Sequence, residues 1–159
     1  MTRVAAIDCG TNSIRLLIAE LDGAGGLTDL DRRLEIVRLG QGVDASGEFH
    51  PDALQRTFAV VDQYSELIKK ADVPVEKVRF VATSASRDAR NREVFFTGIK
   101  QRLGVLPDVI SGATEARLSF IGALSLVSPE GEPVLVMDIG GGSTELITGS
   151  AAGEMRSAV

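Results

Sequence analysis

Two copies of one short pattern carry the residues of this chain that could handle phosphate. Residues 8–13 read Asp-Cys-Gly-Thr-Asn-Ser and residues 138–143 read Asp-Ile-Gly-Gly-Gly-Ser, and each copy lies between two apolar runs. A turn built from glycine and small hydroxyl residues exposes backbone N–H groups that a phosphate can approach closely. Either copy alone could be an ordinary hairpin turn. Because the pattern is repeated with an aspartate at each start, it favours two phosphate-binding hairpins.

Three carboxylates stand where they could act on a bound phosphate. Asp8 and Asp138 end the apolar runs beside the two turns, where they could hold Mg²⁺ directly or through water, since this ion takes oxygen ligands together with phosphate oxygens. Capping of the turn is the alternative role. Phosphoryl transfer to water also needs a group that orients or deprotonates the water. Glu115, in the predicted first helical turn after Ser111, is the candidate, although a glutamate there also interacts favourably with the helix dipole.

Composition limits the other chemistries. The chain has 159 residues, 44% hydrophobic and 25% charged, and no run long enough for a membrane span, which indicates a globular protein. Cys9 is the only cysteine and His50 the only histidine. An internal disulfide, a cysteine-based zinc site and a site with several histidines are therefore excluded. The amino terminus lacks a long apolar segment before Asp8, which favours a cytoplasmic protein over a secreted one.

Charge indicates how a polyanion would be bound. The net charge of −5 speaks against a general nucleic-acid binder, because such proteins usually carry a basic face. A polyanion would have to meet local positive charge, and the densest basic run contains Arg87, Arg90 and Arg92. A solvated loop or helix start is the alternative interpretation of this run.

The hydrophobic pattern predicts the elements that position these residues. Apolar runs predict strands at residues 3–8, 14–20, 34–39, 78–82, 109–110, 134–138 and 144–148, with a polar loop at 83–86. Apolar residues spaced by three and four predict helices at residues 51–71, 94–103 and 114–126, with Gly104 as a carboxy-terminal cap. Strands that alternate with helices after an antiparallel start indicate an α/β fold.

The repeated pattern also predicts two domains. The second copy follows a Pro- and Gly-containing stretch at residues 128–133 that is typical of a linker. We therefore expect a first domain over residues 1–127 and the first strands of a second, truncated domain over residues 128–159.

Four segments resemble the exopolyphosphatase and guanosine pentaphosphate phosphohydrolase family. Residues 6–17 (AIDCGTNSIRLL) are similar to its first phosphate motif, and residues 136–146 (VMDIGGGSTEL) to its second. Residues 81–91 (VATSASRDARN) resemble its threonine, arginine and asparagine segment, and residues 110–118 (ISGATEARL) its catalytic-glutamate segment. The resemblance implies an actin-like, ribonuclease-H-like fold, with a mixed sheet flanked by helices and an active site between two domains.

The resemblance also implies roles for single residues. Glu115 would be the general base, although many relatives have two adjacent acids where this chain has Thr114 and Glu115. The catalytic residues would be Glu115, Asp138 and Glu145. The ligands of Mg²⁺ or another hard divalent cation would be Asp8, Asp138 and Glu145. The phosphate-binding set would be Gly10, Thr11, Asn12, Ser13, Arg15, Arg87, Gly140, Gly141, Gly142 and Ser143.

The implied activity is hydrolysis of the terminal phosphate from inorganic polyphosphate, guanosine pentaphosphate or both. No nucleic-acid or membrane partner is expected. The sequence does not decide between a monomer and a homodimer. An actin-like sugar or acid kinase is one alternative, since it would share the doubled hairpins but would give Arg87 and Glu115 no special role. A non-catalytic fragment that binds polyphosphate or an alarmone is another, because family members are considerably longer and most of a second domain would be missing.

Overall fold

A computed structural model describes residues 1–125, 132–149 and 155–158 of the chain. The strands in these ranges are β1 Thr2–Cys9, β2 Ser13–Leu21, β3 Leu27–Ile36, β4 Val78–Ala82, β5 Asp108–Val109, β6 Val134–Ile139, β7 Thr144–Gly149 and β8 Met155–Ala158. The α-helices are α1 Val43–Ser46, α2 Pro51–Lys70, α3 Ser84–Asp88, α4 Arg92–Leu103 and α5 Gly112–Leu124. None of the helices in this part of the chain is long and apolar enough to cross a membrane.

The chain divides into two compact units, Met1–Val109 and Ile110–Val159. Packing therefore groups α5 with the strands that follow it. The predicted domain boundary between residues 127 and 128, and most of the predicted linker, lie outside the described residues. The boundary stays a prediction.

The first unit is built on a five-stranded mixed sheet in the order β3-β2-β1-β4-β5. β1 pairs antiparallel with β2 and parallel with β4, so the predicted antiparallel start followed by α/β connections is confirmed. The core lies where α2 and α4 cover one face of this sheet, with Leu16 and Phe80 from the strands against Tyr64 and Phe95 from the helices. This packing fixes the strand ends that carry the first hairpin.

Helix α2 begins at Pro51, as its pattern predicts. Proline suits the first helical position because the backbone N–H it lacks has no partner within the helix there. Nδ1 of His50, the residue before the helix, accepts a hydrogen bond from the Asp52 backbone N–H at 3.2 Å. His50 therefore caps a helix.

The third strand was predicted at the wrong position. It covers Leu27–Ile36 rather than residues 34–39. Val37 and Leu39 are fully buried, but the chain has already left the sheet, and Arg38 has a positive φ of 51° that ends the extended conformation. Their apolar side chains therefore mark a buried turn and not a strand.

The predicted polar loop at residues 83–86 is also wrong in part. Thr83 is followed directly by the short helix α3, in which Ser84 and Ser86 are buried. The predicted helix at residues 94–103 begins two residues earlier, at Arg92, and ends before Gly104, whose φ of 76° confirms the predicted cap.

The second unit contains a three-stranded antiparallel sheet in the order β6-β7-β8. Helix α5 packs on one face of this sheet, where Ala116 and Phe120 meet Ile147. That face also carries the side chains at alternate positions of β6 and β7, including Asp138 and Glu145.

Candidate active site

The two predicted hairpins share one backbone geometry. In the first, the Gly10 N–H donates to the Ser13 carbonyl at 3.0 Å. In the second, the Gly140 N–H donates to the Ser143 carbonyl at 2.9 Å. The repeat seen in the sequence is thus also a repeat of turn structure, and the predicted phosphate ligands of each copy lie together in its own turn.

The first hairpin is oriented by the buried turn after β3. The Asn12 carbonyl accepts hydrogen bonds from two backbone N–H groups of residues 37–40, and the Thr11 carbonyl accepts a third at 2.9 Å. In a trans peptide unit the carbonyl and the following N–H point in opposite directions, and the described chain has no cis peptide bond. The N–H groups of Asn12 and Ser13 therefore point away from residues 37–40, as an anion-binding turn requires.

The segment after β4 supports the same hairpin. The hydroxyls of Thr11 and Ser84 are hydrogen-bonded at 2.8 Å, and the Thr83 N–H donates to the Cys9 carbonyl at 3.3 Å. Arg87 is half-buried on α3, one turn after Ser84. Sequence reasoning did not single out Ser84, although it lies in the segment whose resemblance to the family was noted.

One member of the basic run, Arg90, contacts the loop around α1. The Arg90 guanidinium donates to the Ser46 carbonyl at 2.9 Å and lies 3.6 Å from a Glu48 carboxylate oxygen, and its backbone N–H donates to Gly47. Arg90 therefore stabilises the loop around α1. The basic surface formed by this run and the phosphate contact of Arg87 stay predictions.

The two aspartates at the hairpins have cross-strand neighbours of opposite charge. Asp8 pairs in register with Arg15, and an Nη of Arg15 lies 3.5 Å from an Asp8 carboxylate oxygen. Asp138 pairs in register with Glu145. The first hairpin therefore combines opposite charges, whereas the second places two carboxylates side by side.

The second unit contains all three predicted catalytic residues, and two of them are paired on neighbouring strands. Glu145 is 1% exposed, and its Oε1 has no hydrogen-bond partner among the described residues. The Ser119 hydroxyl donates to Oδ2 of Asp138 at 2.5 Å. Glu115 lies in the first turn of α5, four residues before Ser119, so the two share one side of the helix. Sequence reasoning missed Ser119, and its only signal was this spacing from Glu115.

The carboxylate pair suits a hard divalent cation. A buried charge costs free energy unless it is paired or coordinates a metal, and the Oε1 of Glu145 is such an oxygen. Among the residues that the structure describes, no cluster of three or more His, Cys, Asp or Glu could hold a metal ion. Mg²⁺ is usually held by one or two carboxylates together with water and substrate phosphate, so a pair such as Asp138 and Glu145 is sufficient.

Cys9 has the properties of an inert core residue. It is fully buried on β1, and burial, together with the neighbouring Asp8 carboxylate, raises the pKa of its thiol far above the ordinary range. Because the thiolate is the reactive form, the Cys9 thiol is not a nucleophile at neutral pH.

Comparison with solved structures defines the class of protein. The chain superimposes on an exopolyphosphatase from Cytophaga hutchinsonii with a TM-score of 0.90 and 31% identity, over 99% of this chain and 50% of that one. It superimposes on a Ppx/GppA protein from Aquifex aeolicus with a TM-score of 0.82 and 36% identity, over 99% of this chain and 51% of that one. These structures have the actin-like fold, so the predicted fold class is confirmed.

The chain belongs to the Ppx/GppA phosphatase family, whose profile matches residues 17–158. It is 52% identical over 157 residues to exopolyphosphatase 2 of Mycobacterium tuberculosis, an alignment that covers 94% of this chain and 49% of that protein. The chain thus spans about half the length of the exopolyphosphatases that it matches.

Proposed function

We propose that this chain carries the phosphate-binding turns and the catalytic carboxylates of an exopolyphosphatase. The reaction would release the terminal phosphate of inorganic polyphosphate, of guanosine pentaphosphate or of both. Family membership and the names of the relatives support the polyphosphate activity. The guanosine pentaphosphate activity rests on the family resemblance of the sequence motifs.

The observation that carries the proposal is the carboxylate pair in the second unit. Asp138 and Glu145 lie opposite each other on β6 and β7, and α5 brings Glu115 to the same side of the sheet. A purely structural role for Glu145 would leave its buried Oε1 without a hydrogen-bond partner among the described residues, beside a second carboxylate. A bound divalent cation explains why both acids are present.

The proposed residues have separate roles in hydrolysis. Glu115 would accept a proton from water while the water oxygen forms a bond to the terminal phosphorus, and the bond to the bridging oxygen breaks. The products are orthophosphate and a chain shortened by one phosphate. Asp138 and Glu145 would hold Mg²⁺, which neutralises charge on the phosphoryl oxygens when bound.

Each hairpin, taken by itself, would bind phosphate groups. The turn N–H groups of residues 10–13 and 140–143 suit phosphate oxygens, and the exposed guanidinium of Arg15 adds positive charge beside the first turn. Arg87 is the second proposed arginine contact. Asp8 stays a proposed metal ligand that acts through water, because Arg15 already compensates much of its charge.

The test is phosphate release from long-chain polyphosphate and from guanosine pentaphosphate, with and without Mg²⁺, in the full native protein. The Glu115→Gln substitution should lower kcat by about 10²- to 10⁴-fold, because an amide cannot accept the proton. Glu93→Gln is the matched control, since Glu93 also lies in the first turn of a helix but belongs to α4.

Each outcome has a distinct meaning. Mg²⁺-dependent release that Glu115→Gln abolishes and Glu93→Gln preserves would support the proposal. Full turnover in the Glu115→Gln variant would show that Glu115 is not the base. Binding of polyphosphate without release by the native protein would favour a non-catalytic binding role.

A further inference from the structure

Helix α5 carries a hydroxyl that makes an unusual contact. Ser and Thr side chains within helices commonly bond back to the carbonyl of the preceding turn. Thr57 in α2 does this at 2.8 Å with Ala53. Ser119 instead donates across to β6, to Oδ2 of Asp138, 19 residues further along the chain.

This contact determines which Asp138 oxygen remains for a ligand. A hydroxyl that donates to a carboxylate forms a charge-assisted hydrogen bond, which is stronger and shorter than a neutral one. The bond holds Oδ2 and restricts rotation of the Asp138 carboxylate. Oδ1 takes no part in this bond and can bind a cation shared with Glu145, which lies in register on β7.

The same contact links the base to the metal ligands. Ser119 lies four residues after Glu115 on one side of α5. The apolar contacts of Ala116 and Phe120 seat the helix on the sheet, but such contacts are not directional. The directional bond from Ser119 fixes the rotation of α5 relative to Asp138, and with it the position of Glu115.

We propose that Ser119 is a positioning residue that orients Asp138 for a divalent cation and sets its distance from Glu115. The proposal rests on the proposed function, because it assigns Asp138 and Glu145 to the metal and Glu115 to the water. Groups that orient metal ligands typically contribute about 10- to 100-fold to metal affinity or activity.

The test compares three variants in the full native protein. Ser119→Ala removes the hydroxyl, and Ser119→Thr keeps it. Ser125→Ala is the matched control, because the hydroxyl of Ser125, which caps α5, donates to the Gly122 carbonyl of that helix at 2.7 Å. Mn²⁺ binding, followed by the electron paramagnetic resonance signal of the free ion, gives a readout that does not depend on turnover. Thermal unfolding confirms that each variant is folded.

We expect Ser119→Ala to weaken Mn²⁺ binding by about 10-fold and to lower kcat by about 10- to 100-fold, with KM for polyphosphate little changed. Ser119→Thr should restore both to within about threefold, and Ser125→Ala should leave both unchanged. A Ser119→Ala variant with native Mn²⁺ affinity would overturn the proposal. Equal losses in the alanine and threonine variants would also overturn it, since the hydroxyl would not be the cause.

The two proposals fail in distinguishable ways. If the native protein released no phosphate, the proposed function would be wrong, and Mn²⁺ binding would still decide the role of Ser119. If Glu115→Gln abolished turnover while Ser119→Ala left kcat and Mn²⁺ affinity native, the proposed function would stand and the role of Ser119 would be rejected.

Discussion

Asp138 lies directly opposite Glu145 across β6 and β7, so the two carboxylates share one face and one level of the sheet. The equivalent position in the first hairpin holds Arg15 opposite Asp8. Two turns of the same backbone geometry thus have different electrostatics. We infer that the second hairpin suits a cation and that the first suits an anion such as phosphate.

Replacing Glu145 should weaken metal binding without lowering the stability of the metal-free protein. Without divalent ions, Glu145→Gln should leave the unfolding temperature unchanged or raise it by about 2 to 4 °C, because it removes a buried charge that lies beside a second carboxylate. The native protein should gain stability as Mg²⁺ is added, and the variant should gain much less. Thermal unfolding with and without millimolar Mg²⁺ measures both effects. Glu93→Gln should behave as the native protein, and an undiminished Mg²⁺ effect in Glu145→Gln would contradict the metal site.

Arg15→Ala should weaken the binding of a phosphate chain. Loss of one charge-assisted contact corresponds to an increase in KM of about 10-fold and a weaker dependence on salt. Stability should change by less than about 1 kcal/mol, because the pair with Asp8 is exposed to solvent. Arg32→Ala is the control, since Arg32 is another exposed arginine that pairs with an aspartate, Asp29. Equal KM values for the two variants would count against a phosphate role for Arg15.

Gly40→Ala should disturb the first hairpin, although Gly40 itself lies in the turn after β3. A Cβ at Gly40 would lie 2.3 Å from Cγ2 of Thr11, whose hydroxyl is already held by Ser84. We expect a loss of about 1 to 3 kcal/mol in the free energy of unfolding, measured with urea. Gly122→Ala is the matched control, because its Cβ would meet nothing within 4 Å among the described residues outside its own helix backbone, and it should stabilise α5 by up to about 1 kcal/mol. A neutral Gly40→Ala substitution would show that this turn is less closely packed.

Ionisation of the single tyrosine shows whether the core remains folded at alkaline pH. Tyr64 is buried, and its pKa is raised from 10.0 to about 12, mainly by this burial. Glu35 and Cys9 raise the pKa by smaller amounts, and Arg33 lowers it. Because the folded pKa is the higher one, this contribution to stability is complete below pH 10 and is lost as pH rises through about 12. The ultraviolet absorbance of tyrosinate should therefore appear only near pH 12 or on unfolding. Half-ionisation near pH 10 in the folded protein would contradict this expectation.

The hairpins and α2 were predictable because their signals are local. An apolar run, an aspartate and a glycine turn indicate a strand that ends in a tight loop, and spacing of three and four predicts one buried helical face. β3 was misplaced because it is an edge strand whose residues are almost all exposed, so it lacks the alternation that marks a strand. The buried Val37 and Leu39 gave an apolar signal in its place.

Contacts between distant segments explain what could not be predicted in the site. Glu115, Asp138 and Glu145 were chosen by resemblance to family motifs, but nothing in their spacing shows that a serine on the helix of Glu115 bonds Asp138. The bond from Ser119 to Asp138 depends on how α5 packs on β6, and that packing depends on Phe120 and Ile147. Likewise, the contact between Thr11 and Ser84 joins residues 73 positions apart.

The backbone bonds from residues 37–40 to the turn of the first hairpin bear on the kinetics of ligand binding. Thr11 and Asn12 obtain their orientation from the folded chain itself. The entropy lost in ordering this turn is therefore lost during folding and not when an anion arrives. Capture of a phosphate chain at the first hairpin should proceed in one step at a rate set by encounter, without a slow rearrangement of the loop.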